Sequence, residues 1–203
     1  MVFNGDALVR HSFSNSTEIH TNLHELTQTD AVFIYFEEAL DRVLNTRDKM
    51  WLDKRRNISN NHKCLSWQKV YLGGRGTITY TFNETYFEEL SQKTTQLNGT
   101  LIMKNSFDAT GAALNVTGTN EAGENLEYLL VHWNKTYRCA IFYTQEMING
   151  TRRNQTCGLY YWSSYIDKAE ARNNCDIFYN LYCGPYGTDQ VLYDSNCQTY
   201  LAC

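Results

Sequence analysis

Two short stretches near the C-terminus decide the fold: residues 139–144 read CAIFYT and residues 159–163 read LYYWS. Both stretches are rich in aromatic or β-branched residues, which favour strands. Six of the seven cysteines lie in the last third of the chain, around these stretches, and only Cys64 lies upstream. We therefore expect two neighbouring strands and a following helix that are tied together by disulfides.

The helix after the second strand is predicted from a cap, an apolar face and a stop signal. Asn174 can cap its first turn, and Gly184-Pro185 ends it. The residues expected to face inward are Ile177, Phe178, Leu181 and Tyr182.

A second helix is predicted near the N-terminus, where Asp30 can act as the cap. Apolar residues then recur at three- and four-residue steps, at Phe33, Phe36, Leu40, Val43 and Leu44. Residues 1–28 are polar and show no sustained period, so we expect a poorly ordered arm. Residues 29–203 are expected to form a single domain.

The stretch from residue 76 to residue 133 shows a period of two, and glycine-containing turns divide it into short strands. The alternating residues include Ile78, Tyr80, Phe82, Tyr128, Leu130 and His132. With the two C-terminal stretches the count is seven or eight antiparallel strands, and closing them removes exposed edges. We predict an all-β fold, an eight-stranded up-and-down β-barrel with both helices packed on it. A barrel of this size can hold one small ligand.

The order of strand, strand and helix also suggests how the cysteines pair. Because the helix runs back alongside the second strand, its two cysteines come near the starts of the two strands. The expected pairs are Cys139 with Cys175 and Cys157 with Cys183, and Cys64 would take Cys197 or Cys203. One thiol is left over, so the expected monomer could form a disulfide-linked dimer.

The compartment is indicated by cysteines and glycosylation signals together. No Cys-x-x-Cys pair is present, which favours disulfides over a metal site. Eight Asn-x-Ser/Thr sequons occur, at Asn15, Asn57, Asn83, Asn98, Asn115, Asn134, Asn149 and Asn154. This modification requires the secretory pathway, so we expect a secreted, extracellular glycoprotein. No basic start followed by an apolar run is visible, which we interpret as a mature form.

Several function classes are disfavoured by the sequence. The net charge is −4 and the basic residues are scattered, so nucleic acid is not an expected partner. No apolar stretch is long enough to span a bilayer. Motifs for serine hydrolases, zinc proteases and phosphate-binding loops are absent, and we expect no catalytic residues, no metal and no cofactor. The fifteen tyrosines, nine phenylalanines and four tryptophans instead favour β-structure around a broad interior.

An ordered set of residues then resembles a known family. The similar positions are Asp48 with Trp51, Cys64, Tyr137 with Cys139, Ile141 and Tyr143, the strand Leu159–Trp162, residues 175–182, and Val191 with Cys197. In these the chain resembles the tick histamine-binding-protein family of salivary lipocalins. The resemblance implies a lipocalin-like barrel and the pairs Cys139 with Cys175 and Cys64 with Cys197. Cys157 with Cys183 would be additional, and Cys203 would be the odd thiol.

The resemblance also implies capture of a host inflammatory mediator, and the acidic positions bear on which one. A buried ammonium needs a carboxylate, and aromatic faces add attraction. Asp48 is kept among the amine-holding acids, whereas three others align with Gln92, Leu130 and Tyr160. Trp51 and Trp162 remain as apolar walls. The expected ligand-binding residues are Asp48, Trp51, Gln92, Tyr128, Leu130, His132, Tyr160 and Trp162.

Because three carboxylates are replaced, the sequence favours a lipid mediator such as a leukotriene or a fatty acid. A ligand carboxylate would need a cation, for which His132 and Arg138 are the candidates. The alternative is a biogenic amine, histamine or serotonin. A second alternative is a protein-binding immunomodulator or complement inhibitor on the same fold. In each case the protein would serve host immune evasion.

Overall fold

A computed structural model describes residues 38–58, 60–106, 109–148 and 151–200 of the chain. The described strands are β1 (Met50–Arg56), β2 (His62–Gly73), β3 (Thr79–Glu88), β4 (Ser91–Ser106), β5 (Ala109–Thr117), β6 (Thr119–Asn120), β7 (Gly123–Glu124), β8 (Leu126–Asn134), β9 (Cys139–Ile148), β10 (Thr151–Trp162) and β11 (Asp189–Val191). The helices are α1 (residues 38–44), α2 (Ala169–Cys183) and α3 (Asn196–Tyr200). The predicted arm, residues 1–28, lies outside the described residues.

Eight of these strands form a closed antiparallel barrel in the order β1, β2, β3, β4, β5, β8, β9, β10. The last strand pairs with the first, so that Met50 lies opposite Trp162 and Leu52 opposite Tyr160. β6 and β7 form a small separate hairpin, and β11 adds to the outer side of β1. The predicted up-and-down barrel with a helix near each terminus is confirmed.

The barrel begins earlier than the period-two pattern indicates. The period-two stretch starts at residue 76, whereas β1 and β2 both precede it and Cys64 lies within β2. Irregular pairing explains the error. The register of β1 against β10 shifts between Leu52 and Lys54, and that of β2 against β3 shifts after Lys63 and after Lys69. Each bulge adds a residue to one strand and breaks the alternation that the sequence pattern requires.

Helix α1 packs its apolar face on the interior at one end of the barrel. Leu40, Val43 and Leu44 are fully buried there, in one cluster with Met50 and Trp162. Complete burial of such a side chain contributes about 1.5–3 kcal/mol. The predicted cap Asp30 and the apolar residues Phe33 and Phe36 lie outside the described residues.

Helix α2 packs on the outside of the barrel through a different face from the one predicted. Its buried residues are Ala171, Cys175 and Tyr179, four residues apart. Of the four residues expected to face inward, Phe178 is partly buried against the barrel, whereas Ile177, Leu181 and Tyr182 are exposed. The expected start at Asn174 is also wrong, since the helix begins at Ala169 and the Asn174 amide donates to the Glu170 carbonyl. The predicted end is confirmed, because Gly184 follows the last helical residue with a positive φ of 76°.

Three disulfides join the outer elements to the barrel. They are Cys64–Cys197, Cys139–Cys175 and Cys157–Cys183, the same three pairs that the sequence and the family resemblance predict. The first closes a loop of 133 residues and fixes α3 to β2. A loop of this length makes the largest entropic contribution in the chain-entropy model of disulfide stabilisation. Cys203 lies outside the described residues.

Candidate functional site

Glu84 places a carboxylic acid inside the barrel. It follows Tyr80 and Phe82 on the inward face of β3, and its side chain is 1 % exposed. Its Oε2 accepts a hydrogen bond from Nε1 of Trp67 at 2.9 Å, and its Oε1 accepts one from the backbone N–H of Glu121 at 2.7 Å. Glu84 forms no ion pair with another described residue. Its two printed hydrogen bonds therefore come from uncharged donors, the Trp67 indole and the Glu121 backbone.

The protonation of Glu84 follows from this environment. Burial raises the pKa of the Glu84 carboxyl to about 7, and the hydrogen bonds from Glu121 and Trp67 offset only part of that effect. A carboxyl group with this pKa changes its charge near neutral pH. A cation brought next to it would stabilise the charged form, which is the behaviour of a binding group.

Aromatic rings surround the carboxylate. The ring of Trp67 is 4.8 Å from that of Phe82, 4.8 Å from that of Tyr128 and 5.1 Å from that of Tyr160, measured between centroids. Burial raises the pKa of the Tyr128 and Tyr160 phenols above their ordinary value, so both are neutral at physiological pH. Nδ2 of Asn120 donates to the Tyr128 hydroxyl at 2.8 Å. The faces of such rings attract cations.

A cavity leads from solvent towards Glu84 at the end of the barrel where β1 connects to β2 and β5 to β8. Its outer part has a volume of about 360 Å³. A narrow inner part of about 10 Å³ continues from it and is lined by Arg55, Glu84, Tyr128 and Tyr160, among others. Ile58, Glu121, Ala122, Thr144 and Thr156 line both parts. The carboxylate thus lines a small buried space that adjoins the open cavity.

A buried ion pair stands where the two parts of the cavity meet. Nη1 and Nη2 of Arg55 donate to Oε2 and Oε1 of Glu121 at 2.5 Å and 2.8 Å. Asn60 Nδ2 also donates to Oε1 of Glu121, and Nδ1 of His62 contacts the same oxygen. Burial alone would raise the pKa of Glu121, but the hydrogen bond and charge of Arg55 outweigh it and lower this pKa. Glu121 is thus a carboxylate with its own cation, unlike Glu84.

Four of the predicted ligand-binding residues lie inside the barrel. Tyr128, Leu130, Tyr160 and Trp162 are buried in the interior cluster. Only Tyr128 and Tyr160 line the inner cavity, whereas Trp162 and Leu130 belong to the same cluster as the residues of α1. Nε1 of Trp162 is buried with no partner among the described residues.

The other four lie outside the interior, and the expectation that His132 lines the barrel is wrong. The pairing of β8 with β9 shifts between Leu130 and His132. This bulge turns His132 outwards, where its ring stacks on that of Phe178 in α2 at 4.2 Å. Trp51 also faces outwards and packs edge-on against Tyr193.

Asp48 and Gln92 are exposed. Asp48 precedes β1, and its Oδ2 accepts a hydrogen bond from the Ser164 hydroxyl at 2.7 Å. Gln92 lies near the start of β4, opposite Phe87. Arg138, the other candidate cation, is exposed in the connection between β8 and β9. None of these groups lines the cavity around Glu84.

The residues that sequence reasoning missed are Glu84, Glu121 and Arg55. A signal for Glu84 was present, because the inward series at Tyr80 and Phe82 continues to it in steps of two. Arg55 gave no such signal, since the bulge between Leu52 and Lys54 reverses the side of the barrel on which it falls. Glu121 lies in a turn, where the alternation seen in strands does not predict the direction of a side chain. Among the described residues, no group of three His, Cys, Asp or Glu side chains could hold a metal ion.

Comparison with known proteins agrees with this architecture. The serotonin complex of the protein AM182 superposes with a TM-score of 0.53 at 13 % identity, covering 78 % of this chain and 91 % of that one. Apocrustacyanin C2 superposes with a TM-score of 0.51 at 12 % identity, covering 86 % and 90 %. No curated protein sequence matches the chain significantly. None of the described helices is long and apolar enough to cross a membrane.

The closed eight-stranded barrel with a cavity at one end defines the protein as a lipocalin-type barrel. The family model of the tick histamine-binding protein matches residues 35–199. The chain belongs to that family, as its cysteines and C-terminal strands indicate.

Proposed function

We propose that the protein captures a small aromatic amine, with the ammonium group against Glu84 and the ring in the outer cavity. The observation that carries this proposal is a carboxylate buried inside the barrel without a cation of its own. A desolvated ammonium is tolerated only beside such a charge, and the rings of Trp67, Tyr128 and Tyr160 add cation-π attraction. The family and the serotonin complex of AM182 support small-ligand binding.

The same geometry disfavours the lipid that the sequence alone suggests. A fatty acid or leukotriene would bring its carboxylate next to Glu84, and two like charges in a buried site repel. The cation that could hold such a group, Arg55, is already engaged by Glu121. An acyl chain would also need a deep apolar space, whereas Trp67, Phe82 and Phe142 pack against one another there.

The biological setting we propose is secretion of a glycoprotein that scavenges a host inflammatory amine. Asn83, Asn98 and Asn115 alternate with inward residues on β3, β4 and β5, so glycans there would cover the outer surface. None of these three residues lines the cavity, whereas the sequon residue Asn57 does. The masking effect of the glycans disfavours a broad protein-binding surface on these strands, and binding rather than catalysis is the proposed activity.

Isothermal titration calorimetry of the full chain tests the proposal. We expect serotonin or histamine to bind, and Glu84→Gln to weaken that binding on the order of 100-fold, as loss of one partner of a buried charge pair does. Glu127→Gln is the matched control. Glu127 is also 1 % exposed, but it lies on the outer face of β8 beside Gln145.

Three outcomes would contradict the proposal. Binding of arachidonate or leukotriene but of no amine would support the lipid hypothesis instead. Equal amine affinity in wild type and Glu84→Gln would remove Glu84 from the site. If no small molecule bound, a protein partner would become the better hypothesis.

A further inference from the structure

Arg55 is a cation that shares the inner cavity with Glu84. Its side chain lines that cavity, and its backbone pairs with Gly158 of β10. The charge of Arg55 acts on Glu84, where it favours the carboxylate form. An arginine so placed could neutralise Glu84 from within the protein, and a ligand cation would then have to displace it.

Every nitrogen of Arg55 is nevertheless bound elsewhere. Nη1 donates to Glu121, Nη2 donates to Glu121 and to Asn60 at 3.1 Å, and Nε donates to Gln190 at 2.9 Å. The two-pronged contact with the Glu121 carboxylate is the strongest of these, because both groups are charged and their planes match. The side chains of Arg55 and Glu121 are 3 % and 1 % exposed, so water weakens the pair little.

Glu121 is itself fixed relative to Glu84. Its backbone N–H donates to Glu84, and Asn120 beside it donates to Tyr128. In the turn between β6 and β7, the main chain of Glu121 therefore binds the Glu84 carboxylate, and the side chain of Glu121 binds Arg55. One residue sets the relative positions of a cation and an anion that would otherwise pair.

We propose that Glu121 is a positioning residue that keeps Arg55 away from Glu84 and so leaves the Glu84 charge available to a ligand cation. This inference rests on the proposed amine-binding function. It also defines the ligand class further. With both carboxylates and the guanidinium ionised, the formal charges of Glu84, Glu121 and Arg55 sum to −1, which one monovalent cation neutralises.

The two partners of the ion pair should then have opposite effects on affinity. Glu121→Gln releases Arg55, which turns to Glu84, and we expect serotonin to bind on the order of 10- to 100-fold more weakly. Arg55→Gln removes a cation that competes for Glu84 and repels the ligand ammonium. We therefore expect serotonin to bind more tightly, by about threefold or more. The double variant Arg55→Gln/Glu121→Gln restores the charge of −1 and should regain most of the affinity that Glu121→Gln loses.

A measurement without ligand separates this inference from the proposed function. Carboxyl ¹³C NMR of glutamate-labelled protein reports the titration of Glu84, and the Glu84→Gln spectrum identifies its signal. We expect the pKa of Glu84 to fall in Glu121→Gln, because Arg55 pairs with it, and to rise again in the double variant. The groups that act on Glu84 or respond to its charge are Arg55 on β1, Trp67 on β2, Tyr86 on β3, Glu121 in the turn, Tyr128 on β8 and Tyr160 on β10.

The outcomes are distinct. If no amine binds the wild type, the proposed function fails, while the NMR titration still tests the position of Arg55. If Arg55→Gln weakens amine binding as much as Glu121→Gln does, the pair is merely structural and the inference is wrong. It is also wrong if the pKa of Glu84 is the same in wild type and Glu121→Gln. Should Glu121→Gln fail to fold, Arg55→Gln alone still decides, because weaker binding overturns the inference and tighter binding supports it.

Discussion

Two groups of charges meet at β1, one buried inside the barrel and one partly buried between β1 and the outer elements α2 and β11, and they are balanced differently. Outside, acids and bases are matched: Asp53 pairs with Arg172, Asp176 with Lys54, and Asp189 with Arg56. Inside, Glu84 and Glu121 share the cavity with one guanidinium, that of Arg55, and Glu121 binds it. The outer group has the composition of a structural contact, whereas the inner one has two glutamates for one guanidinium.

This difference indicates which buried carboxylate is available to bind a ligand cation. A buried ion pair that loses one partner strongly destabilises the fold, so matched pairs are structural by default. An acid that stays buried beside dipoles alone costs stability, and that cost is tolerated where a ligand supplies the missing charge. Substitutions in each group in turn test this distinction.

The largest expected effect concerns stability and pH at Glu84. Its folded-state pKa of about 7 lies above the ordinary 4.5, so the folded state binds this proton more tightly than the unfolded state does. Its contribution to stability is fully present below pH 4.5 and is lost as the pH rises through about 7, which amounts to about 3 kcal/mol. Glu84→Gln should remove this loss. Urea unfolding at pH 4.5 and pH 8 measures it, and parallel pH profiles in the two proteins would contradict it.

The outer group should respond in the opposite direction. Arg172→Ala leaves Asp53 buried without its partner, and we expect the free energy of unfolding at pH 8 to fall by about 2 kcal/mol. Amine affinity should not change, because Arg172 belongs to α2 on the outside of the barrel. Arg42→Ala is the control, since its pair with Glu38 is exposed and should contribute at most about 0.5 kcal/mol. Equal losses in both variants would mean that the outer cluster contributes no more than a surface pair.

Ligand affinity itself should depend on pH. An amine needs the charged form of Glu84, so affinity should fall about tenfold per pH unit below a pKa of about 7. From pH 8 to pH 5.5 we expect serotonin to bind about 30-fold more weakly in the wild type. Calorimetry at these pH values checks it, with Glu84→Gln as the control that should show a flat profile.

A smaller effect is expected from filling the inner cavity. A Cβ at Gly158 would lie 3.0 Å from Leu52 Cδ1 and 3.0 Å from Tyr160 Cε2. Gly158→Ala should therefore push Tyr160 into the cavity and weaken amine binding by about tenfold, in the range that one added methyl group produces. Unfolding measured on the same variant separates loss of cavity space from loss of the fold. Unchanged affinity would place the ligand in the outer cavity alone.

The smallest effect is expected at Asp48, which the family resemblance selects as an amine-binding acid. Because Asp48 is exposed and bonded to Ser164, Asp48→Ala should change amine affinity by less than about twofold. A large loss would return the binding site to the position that the resemblance implies. The same calorimetric titration used for Glu84→Gln decides between the two.

Much of the scaffold could be predicted because it depends on local patterns. Tyr80 and Phe82 alternate with threonines, which predicts the strand. Gly184 follows the apolar helical pattern, which predicts the end of the helix. The disulfides followed from the order of elements and from the resemblance. These features need only neighbouring residues or a fixed order along the chain.

The site was less predictable because it depends on bulges and on a turn. His132 belongs to an alternating series, yet the extra residue in β8 turns it outwards onto Phe178. Arg55 faces inwards only because of the bulge in β1. The bond between the Glu121 main chain and Glu84 joins residues 37 apart. The alternation of residues in the sequence does not reveal a one-residue bulge. Such a bulge decides whether a charged side chain points into or out of the barrel.

The bulge in β1 also sets what kind of genetic change this protein can tolerate. Asp53 and Lys54 contact α2 residues on the outside, Arg55 lies in the cavity, and Arg56 contacts Asp189 on the outside again. Deleting one codon in this stretch would exchange the sides of all the residues beyond it and unmake both charge groups at once. A substitution alters only one of these contacts. In this strand, the two charge groups therefore depend more on the number of residues between Leu52 and Arg56 than on any single side chain.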